Sequence, residues 1–486
     1  MTPRVRHIAR HGLPALTLGV ATLVVMWFMS FDSPSHNITG HLDSAWYMMC
    51  GRAWAHGMTP YVDFTDSKGP LLWLIYAAGH LLTPTSYHGV WVLHWLAMWL
   101  ACTVLYQCAR FFIAGRRTAL CAMLPMIAMF FHIYHGENHA EDWAQPFFAI
   151  ALCCTCGVLY AGKRATRAAA AIGACVAALA LIKFTLALMA AGCLLFVGRE
   201  AARGGARRLG RTAVASLLGM AAVLLPMLAL LAATGSVGAL WREYVVTTIH
   251  ITSGTTTGLV VLGSRRVLVF FVAALLLVAP LLPRHRWFPL LLFLWFYEVT
   301  IQHAFWLYYY NSCMIFLFFP LVAVALLAQR LPFTMRRRHH AAVAATLLVA
   351  LALYGWHYGP QHLSFKTTAP SRLAACERFS RAMAVEPHPT LVYLDGHCIP
   401  PAGDAVQALP GCKNWAQQNG TTAAMRQCQH RDVARLRPRF VMVASDRADL
   451  RQWLEMLDYV PVCQEDKYYH RTLYAARAPR EAKKSQ

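Results

Sequence analysis

The chain has 486 residues, of which 58% are hydrophobic and only 14% charged, against about 45–50% apolar and about 25% charged in an ordinary soluble domain. That balance excludes a large soluble core and points to a polytopic membrane protein. The net charge of +22 would suit a nucleic-acid partner, but the basic residues sit in short clusters between apolar runs and not along one polar face, so they read as topology signals.

The first apolar run, 13–31, has a basic flank at Arg4, Arg6 and Arg10 and no small-residue cleavage site after it, so it reads as an uncleaved first span. A polar segment, 32–69, follows. Apolar runs then recur at 70–83, 87–110, 119–134, 143–161, 168–182, 184–199, 212–233, 267–283, 287–303, 304–329 and 341–358. A hydrocarbon core about 30 Å thick needs about 20 apolar residues per helix, which gives about eleven crossings. The run 70–83 is too short to cross comfortably and reads as a half-helix, tolerated at membrane depth only where protein covers it or it lines a wet cavity. With that choice the basic clusters at 110–117, 163–167, 199–211, 284–286 and 330–338 fall on one side, the cytoplasmic one by the positive-inside rule. The polar stretches 32–69, 135–142, 234–266 and 302–303, with Lys183, fall on the outer side. The stretch 241–250 opens on a tryptophan and has mixed polarity, which suits a segment lying along the interface.

Beyond Tyr358 the composition turns polar, and an odd number of crossings places this tail outside the inner membrane. The expected organisation is a transmembrane domain over 1–358 and a small soluble α/β domain over 359–486, with strands at 390–394 and 439–444 and helices at 371–384 and 447–457. Five of the 15 cysteines, Cys376, Cys398, Cys412, Cys428 and Cys463, lie in the tail, where an oxidising compartment lets them pair and leaves one over. Cys153, Cys154 and Cys156 lie within an apolar run and read as small-residue packing.

Chemistry-bearing residues gather in the outer segments. The first holds Asp43, Asp63, Asp66 and Lys68 interleaved with Trp46, Tyr47, Trp54 and Tyr61. Aromatic rings cover sugar faces and carboxylates accept hydroxyl hydrogens, so the mixture suits a carbohydrate or lipid headgroup. The structural alternatives are an N-cap for Asp43, ahead of a helix over 44–57, and turn formation for Asp63 and Asp66. The second segment, with His135, Glu137, His139, Glu141 and Asp142, opens a helix whose positive end favours acids. His135, His139 and the acids are also candidate ligands for a divalent cation, an alternative that His-x-x-x-His in an unplaced loop supports only weakly, and no cofactor is otherwise called for. Lys183 costs a few kcal/mol at membrane depth unless it pairs or reaches water, which marks it as functional or as a snorkelling side chain. Late in the chain stand His303 and the tyrosines 308–310, which an interfacial aromatic belt would also explain. Glu298 is the one deep acid and is expected to pair with a neighbouring helix.

An Asp soon after the first span, followed by Gly57-x-x-Pro60-Tyr61-x-Asp63-Phe64-x-Asp66-x-Lys68-Gly69-Pro70 running into an apolar helix, resembles the GT-C superfamily of multi-span glycosyltransferases. Protein O-mannosyltransferases and lipid A aminoarabinose transferases belong to it. The resemblance covers chiefly 13–110 and continues more loosely through the membrane region. It implies a GT-C-like helical fold and transfer of a sugar from a polyprenyl-phosphate donor in the bilayer to a glycan, lipid or protein acceptor. It also implies Asp43 as the catalytic base, Glu141 and then Glu137 as the second acidic motif, and Lys183 with His303 toward the donor phosphate. Asp63, Asp66, Lys68 and Tyr309 complete the expected substrate-binding set, with no metal ligand assigned. In His303 the chain departs from the superfamily's His-x-Tyr pattern, because four residues separate it from Tyr308. Two other classes stand beside this reading: a transporter or flippase of lipid-linked glycan, and a non-catalytic envelope scaffold. A transporter calls for deep ionisable residues in several spans or paired inverted repeats, whereas here the charges collect at one face.

Overall fold

Backbone groups in lipid can pair only within their own segment or with a closed sheet, and the first two thirds of this chain meet that demand with helices. A computed structural model describes residues 3–30, 32–35, 42–64, 66–84, 86–130, 138–246, 249, 258–301, 307–330, 374–375, 377–384, 389–394, 406–407, 423–467 and 470–477. Nine helices lead: α1 (Pro3–Met29), α2 (Leu42–Ala55), α3 (Pro70–Leu82), α4 (His88–Ala109), α5 (Arg116–Phe130), α6 (Ala140–Ala161), α7 (Ala165–Ala180), α8 (Phe184–Ala202) and α9 (Ala206–Ala233). Helices Gly258–Val278, Phe288–Phe296 and Phe318–Arg330 follow, the last entered through a tighter segment, Leu307–Leu317.

Five described helices are long and apolar enough to cross a membrane: α1 from Gly12, α4, α6, α8 and α9. Shorter apolar helices stand among them. At 13 residues, α3 covers about 20 Å, well short of a hydrocarbon core about 30 Å thick, and so has the length of the expected half-helix. The expected run 341–358 lies outside the described residues.

Side-chain contacts fix how the helices run. Trp95 Nε1 donates to Gly19 O at 3.0 Å, Trp99 Nε1 donates to Ala15 O at 2.7 Å, and Trp27 meets Trp91 edge-on at 5.8 Å, so α1 and α4 are antiparallel. His94 of α4 faces Trp143 of α6 near their beginnings, and Phe111 lies near Gly157 toward their ends, so these two run the same way. Tyr160 OH donates to His285 O at 3.1 Å, and His285 stands 3.8 Å from Glu200, which also pairs with Arg203. The basic residues near 110–117, 163–164, 199–203 and 284–286 therefore share one end of the bundle, and the start of α6 lies at the other. Between α7 and α9, a Cβ on Gly219 would meet Ala170 O at 1.9 Å; such close approach of small residues is how helices pack where lipid gives them little hydrophobic push together.

The C-terminal region is built on a five-stranded sheet: β1 (Thr390–Tyr393), β2 (Val406–Gln407), β3 (Phe440–Ala444), β4 (Tyr459–Glu465) and β5 (Arg471–Ala476), in the order β2-β1-β3-β5-β4. β1 runs parallel to β2 and β3, and β5 is antiparallel to β3 and β4. Alternate residues face opposite sides. Val392, Val441, Val443 and Tyr474 pack with Leu450 and Leu454 on one face, while Leu391, Phe440, Met442 and Leu473 join the cluster of Phe379 and Met383 on the other. The expected strands at 390–394 and 439–444 are present, as are helical residues near 374–383 and the helix Ala448–Met456. The structure adds β2, β4, β5 and helix Ala423–Leu436. β4 escaped notice because Pro461 and a register shift between Pro461 and Cys463 break its alternation. Cys463 forms no disulfide; Cys376, Cys398, Cys412 and the side chain of Cys428 lie outside the described residues. β2 lies against α2, which brings the parallel edge of the sheet beside the helix that carries Asp43.

Candidate active site

α2 and α3 pack side by side in the same direction. Tyr47 meets Tyr76 at 5.7 Å between ring centroids, a Cβ on Gly51 would lie 2.5 Å from Tyr76 Cβ, and His56 meets His80 at 5.3 Å. Parallel neighbours need a return connection. Here it is the loop after Ala55, held by Thr59 N–H donating to Asp63 Oδ2 at 2.6 Å and by Tyr61 N–H donating to Phe64 O at 2.7 Å, with Tyr61 at φ +66. Tyr61 and Phe64 lie on Trp73, at 4.6 and 5.1 Å, and Tyr61 OH donates to Lys68 O at 2.9 Å. Asp63 is thus the turn former that its residue type allowed.

The loop is then sewn to the turn between α7 and α8. Gly69 N–H donates to Ile182 O at 2.8 Å and Leu71 N–H to Leu181 O at 2.9 Å. A Cβ at Gly69 would lie 2.1 Å from Leu181 O, so only glycine allows this approach. The consequence is that Lys68 and Lys183 are carried on two segments tied to each other by backbone hydrogen bonds.

Asp43, in the first turn of α2, accepts from Tyr47 OH at 3.1 Å, and its Oδ2 lies 4.0 Å from His139 Nδ1. Its side chain keeps 14% of its exposure, whereas His139 is fully buried. Lys68 Nζ stands 5.5 Å from the centroid of the Tyr47 ring and 3.7 Å from Asp66 Oδ1. Burial pushes the Asp66 carboxyl above its ordinary range; the Lys68 ammonium opposes that push and the Asp43 carboxylate adds to it. Asp43, Asp66, Lys68 and His139 therefore form one cluster around Tyr47.

The start of α6 is held by a denser network. His139 N–H donates to Asp142 Oδ2 at 3.0 Å, Asn311 Nδ2 donates to Asp142 Oδ1 at 3.3 Å, and Gln145 Nε2 donates to Asn311 O at 3.1 Å. Asp142 thus serves the helix start, the structural role its position allowed. Glu141 Oε1 accepts from Lys183 Nζ at 2.6 Å, with 1% and 10% side-chain exposure respectively, and Glu141 Oε2 has no hydrogen-bond partner among the described residues. Lys183 is therefore paired, as a lysine at that depth requires.

Three contributors were not singled out in the sequence. Asp32, just past α1, accepts from Ser30 Oγ at 2.5 Å and from Asn138 Nδ2, and burial pushes its carboxyl up to about 7 against those two hydrogen bonds. Tyr76 OH donates to Asn138 O at 2.7 Å. Asn311 reaches Asp142 from the far side. A lone Asp at the end of a span was a usable signal for Asp32; for Tyr76 and Asn311 nothing local was. Glu298, expected to pair with a neighbouring helix, is exposed in the π turn Tyr297–Ile301 and has no ion pair among the described residues. Glu137, His135 and His303 lie outside the described residues. Tyr309 belongs to the segment Leu307–Leu317, two positions before Asn311, and its side chain is not described. Among the described residues no group of three or more His, Cys, Asp or Glu is placed to hold a metal ion.

No family model matches the chain, and no curated protein does. Among solved structures it is similar to ArnT from Cupriavidus metallidurans in the apo state, with a TM-score of 0.59 at 13% identity over 96% of this chain and 99% of that one. The same protein bound to undecaprenyl phosphate gives 0.61 at 14% identity over the same shares. An Archaeoglobus fulgidus oligosaccharyltransferase tethered with an acceptor peptide gives 0.44 at 13% identity over 89% of this chain and 69% of that one. The fold is thus similar to that of ArnT over nearly the whole chain.

Proposed function

Proceeding from the GT-C fold, we propose that this protein is a glycosyltransferase that moves a sugar from a polyprenyl-phosphate carrier to the hydroxyl of a glycan, lipid or protein acceptor. The observation that carries the reading is the cluster of Asp43, Lys68, Asp66 and His139 around Tyr47, on a fold shared with a protein solved with undecaprenyl phosphate. Asp43 is the base. The acceptor hydroxyl gives its proton to Asp43 as its oxygen attacks the anomeric carbon; the bond to the phosphate oxygen breaks and its electrons leave with the polyprenyl phosphate. Fixed positive charge where negative charge develops is the largest aid such a site can give.

Lys68 is the better placed of the two lysines to supply that charge. It donates to Ser67 Oγ at 3.3 Å and stands 3.7 Å from Asp66, while Lys183 is bound at 2.6 Å to a buried carboxylate. Lys183 and Glu141 then hold the turn to which Gly69 is sewn, and His139 orients the Asp43 carboxylate. Glu137, Tyr309 and His303 are assigned to substrate binding on their sequence positions alone.

The placement of the basic clusters at the end of the bundle away from this site supports a site at the extracytoplasmic face of the inner membrane, with the N-terminus cytoplasmic. The contact of β2 with α2 supports placing the C-terminal domain over the same face. The test is transfer of radiolabelled sugar from a panel of synthetic polyprenyl-phosphate sugars to envelope extracts by the purified protein. Transfer by wild type and its loss in Asp43→Asn is expected; no transfer from any donor by folded wild type would end the reading.

A further inference from the structure

We propose that His56 and His80 form a two-histidine site for a divalent transition-metal ion, separate from the cluster around Asp43. His56 directly follows α2 and is exposed, whereas His80 lies in the last turn of α3 and is 3% exposed. Their Nε2 atoms stand 3.3 Å apart and their rings meet at 5.3 Å. Two imidazole nitrogens bound at about 2.0–2.1 Å to one tetrahedral ion lie about 3.3–3.4 Å from each other. The pair therefore already has the spacing that one ion asks of two of its ligands.

The tautomers permit it. Without an ion the two nitrogens share one N–H···N hydrogen bond, so one ring carries its proton on Nε2; moving that proton to Nδ1 leaves a lone pair on both Nε2 atoms, and a small rotation of the exposed His56 ring lets both meet one ion. Imidazole ligands without a carboxylate suit Zn2+, Cu2+ or Ni2+ and not Mg2+ or Ca2+. Water fills the remaining positions, in keeping with the absence of a third His, Cys, Asp or Glu beside the pair among the described residues.

The site is held by packing as well as by sequence. The close approach of Gly51 to Tyr76 fixes the α2 and α3 axes, His80 stands on α3, and His56, the first residue past α2, is tied back to it by its N–H donating to Arg52 O at 3.0 Å. Because α2 and α3 are parallel, an ion here fastens their far ends, about 20 Å along from Asp43 and Lys68. The expected consequence is a stiffer pair of helices, read as stability, and no part in the chemistry.

The experiment uses full-length, tag-free protein in detergent, stripped by a chelator and titrated with Zn2+ in a calorimeter and with Cu2+ in an electron paramagnetic resonance spectrometer. One site is expected, with Cu2+ hyperfine coupling from two imidazoles and a Tm raised by Zn2+. His56→Ala and His80→Gln should each weaken binding by at least about tenfold, since even the loss of an outer-shell partner does that. His88→Ala, at the head of α4, should leave it unchanged. His56 is exposed, so its replacement leaves the fold intact. Equal Zn2+ affinity in wild type and His56→Ala, or a Cu2+ spectrum reporting a single imidazole, would overturn the proposal whatever the outcome of the transferase assay.

Discussion

Two ion pairs stand on segments sewn to each other, and they are built differently. Both are buried, but Glu141 and Lys183 touch at 2.6 Å, whereas Asp66 and Lys68 stand at 3.7 Å and share their surroundings with Asp43 and Tyr47. A buried pair in close contact is dear to break, because either partner alone becomes an unpaired charge in a poor solvent. A looser cluster can exchange a partner for substrate at lower cost. On the proposed function the difference separates a fixture from a working site, although both come from acid and lysine residues that look alike in the sequence.

The largest expected effect falls on the working site. Asp43→Asn should lower sugar transfer by about 10²–10⁴-fold, the usual worth of a positioned base, with an unchanged Tm; a parallel loss of Tm would move Asp43 to the side of the fixtures. Next, Lys183→Met should destabilise the protein by about 3–5 kcal/mol by stranding Glu141, measured by thermal unfolding in detergent. Adding Glu141→Gln should recover most of that. If Lys183→Met instead left Tm intact and abolished transfer alone, the contrast drawn between the two pairs would fail.

A third prediction concerns pH. The carboxyl of Asp32 is raised from 3.8 to about 7 in the folded protein, so between those values the folded state binds a proton that the unfolded state lacks, and stability from this group falls as pH rises through that window. Asp32→Asn should flatten the fall, seen as a wild-type minus variant difference in Tm that changes between about pH 4 and pH 7 and is constant above. The smallest effect is expected for Gly69→Ala. Its Cβ would strike Leu181 O at 2.1 Å, and a cost of about 1–3 kcal/mol is the usual price of such overpacking. Transfer should weaken with it, because Lys68 is the neighbouring residue.

How much was legible in the sequence varies with the range of the interaction. Helix α2 and the short α3 follow from the pattern of 42–83, and Asp43, Asp66 and Lys68 were visible as a local cluster. The pairing of Glu141 with Lys183 was not, because 42 residues separate them. Nor was the link of Asp32 to Asn138, 106 residues apart. In the C-terminal sheet β1 and β3 are clear apolar runs, while β4 is an edge strand whose proline and register shift erase the period on which such readings depend.

The sequence by itself determined that this is a helical membrane chain with a mixed C-terminal domain, and on which short segments its outer acids and lysines ride, because hydropathy, charge clusters and turn chemistry are local properties. Only the tertiary structure decided the parallel packing of α2 on α3, the hydrogen bonds from Gly69 and Leu71 to the turn at Lys183, and the division of like residues into a close pair and a looser cluster. Those features depend on distances between segments far apart in the chain, and such distances are set when helices pack and not by any residue's neighbours in sequence.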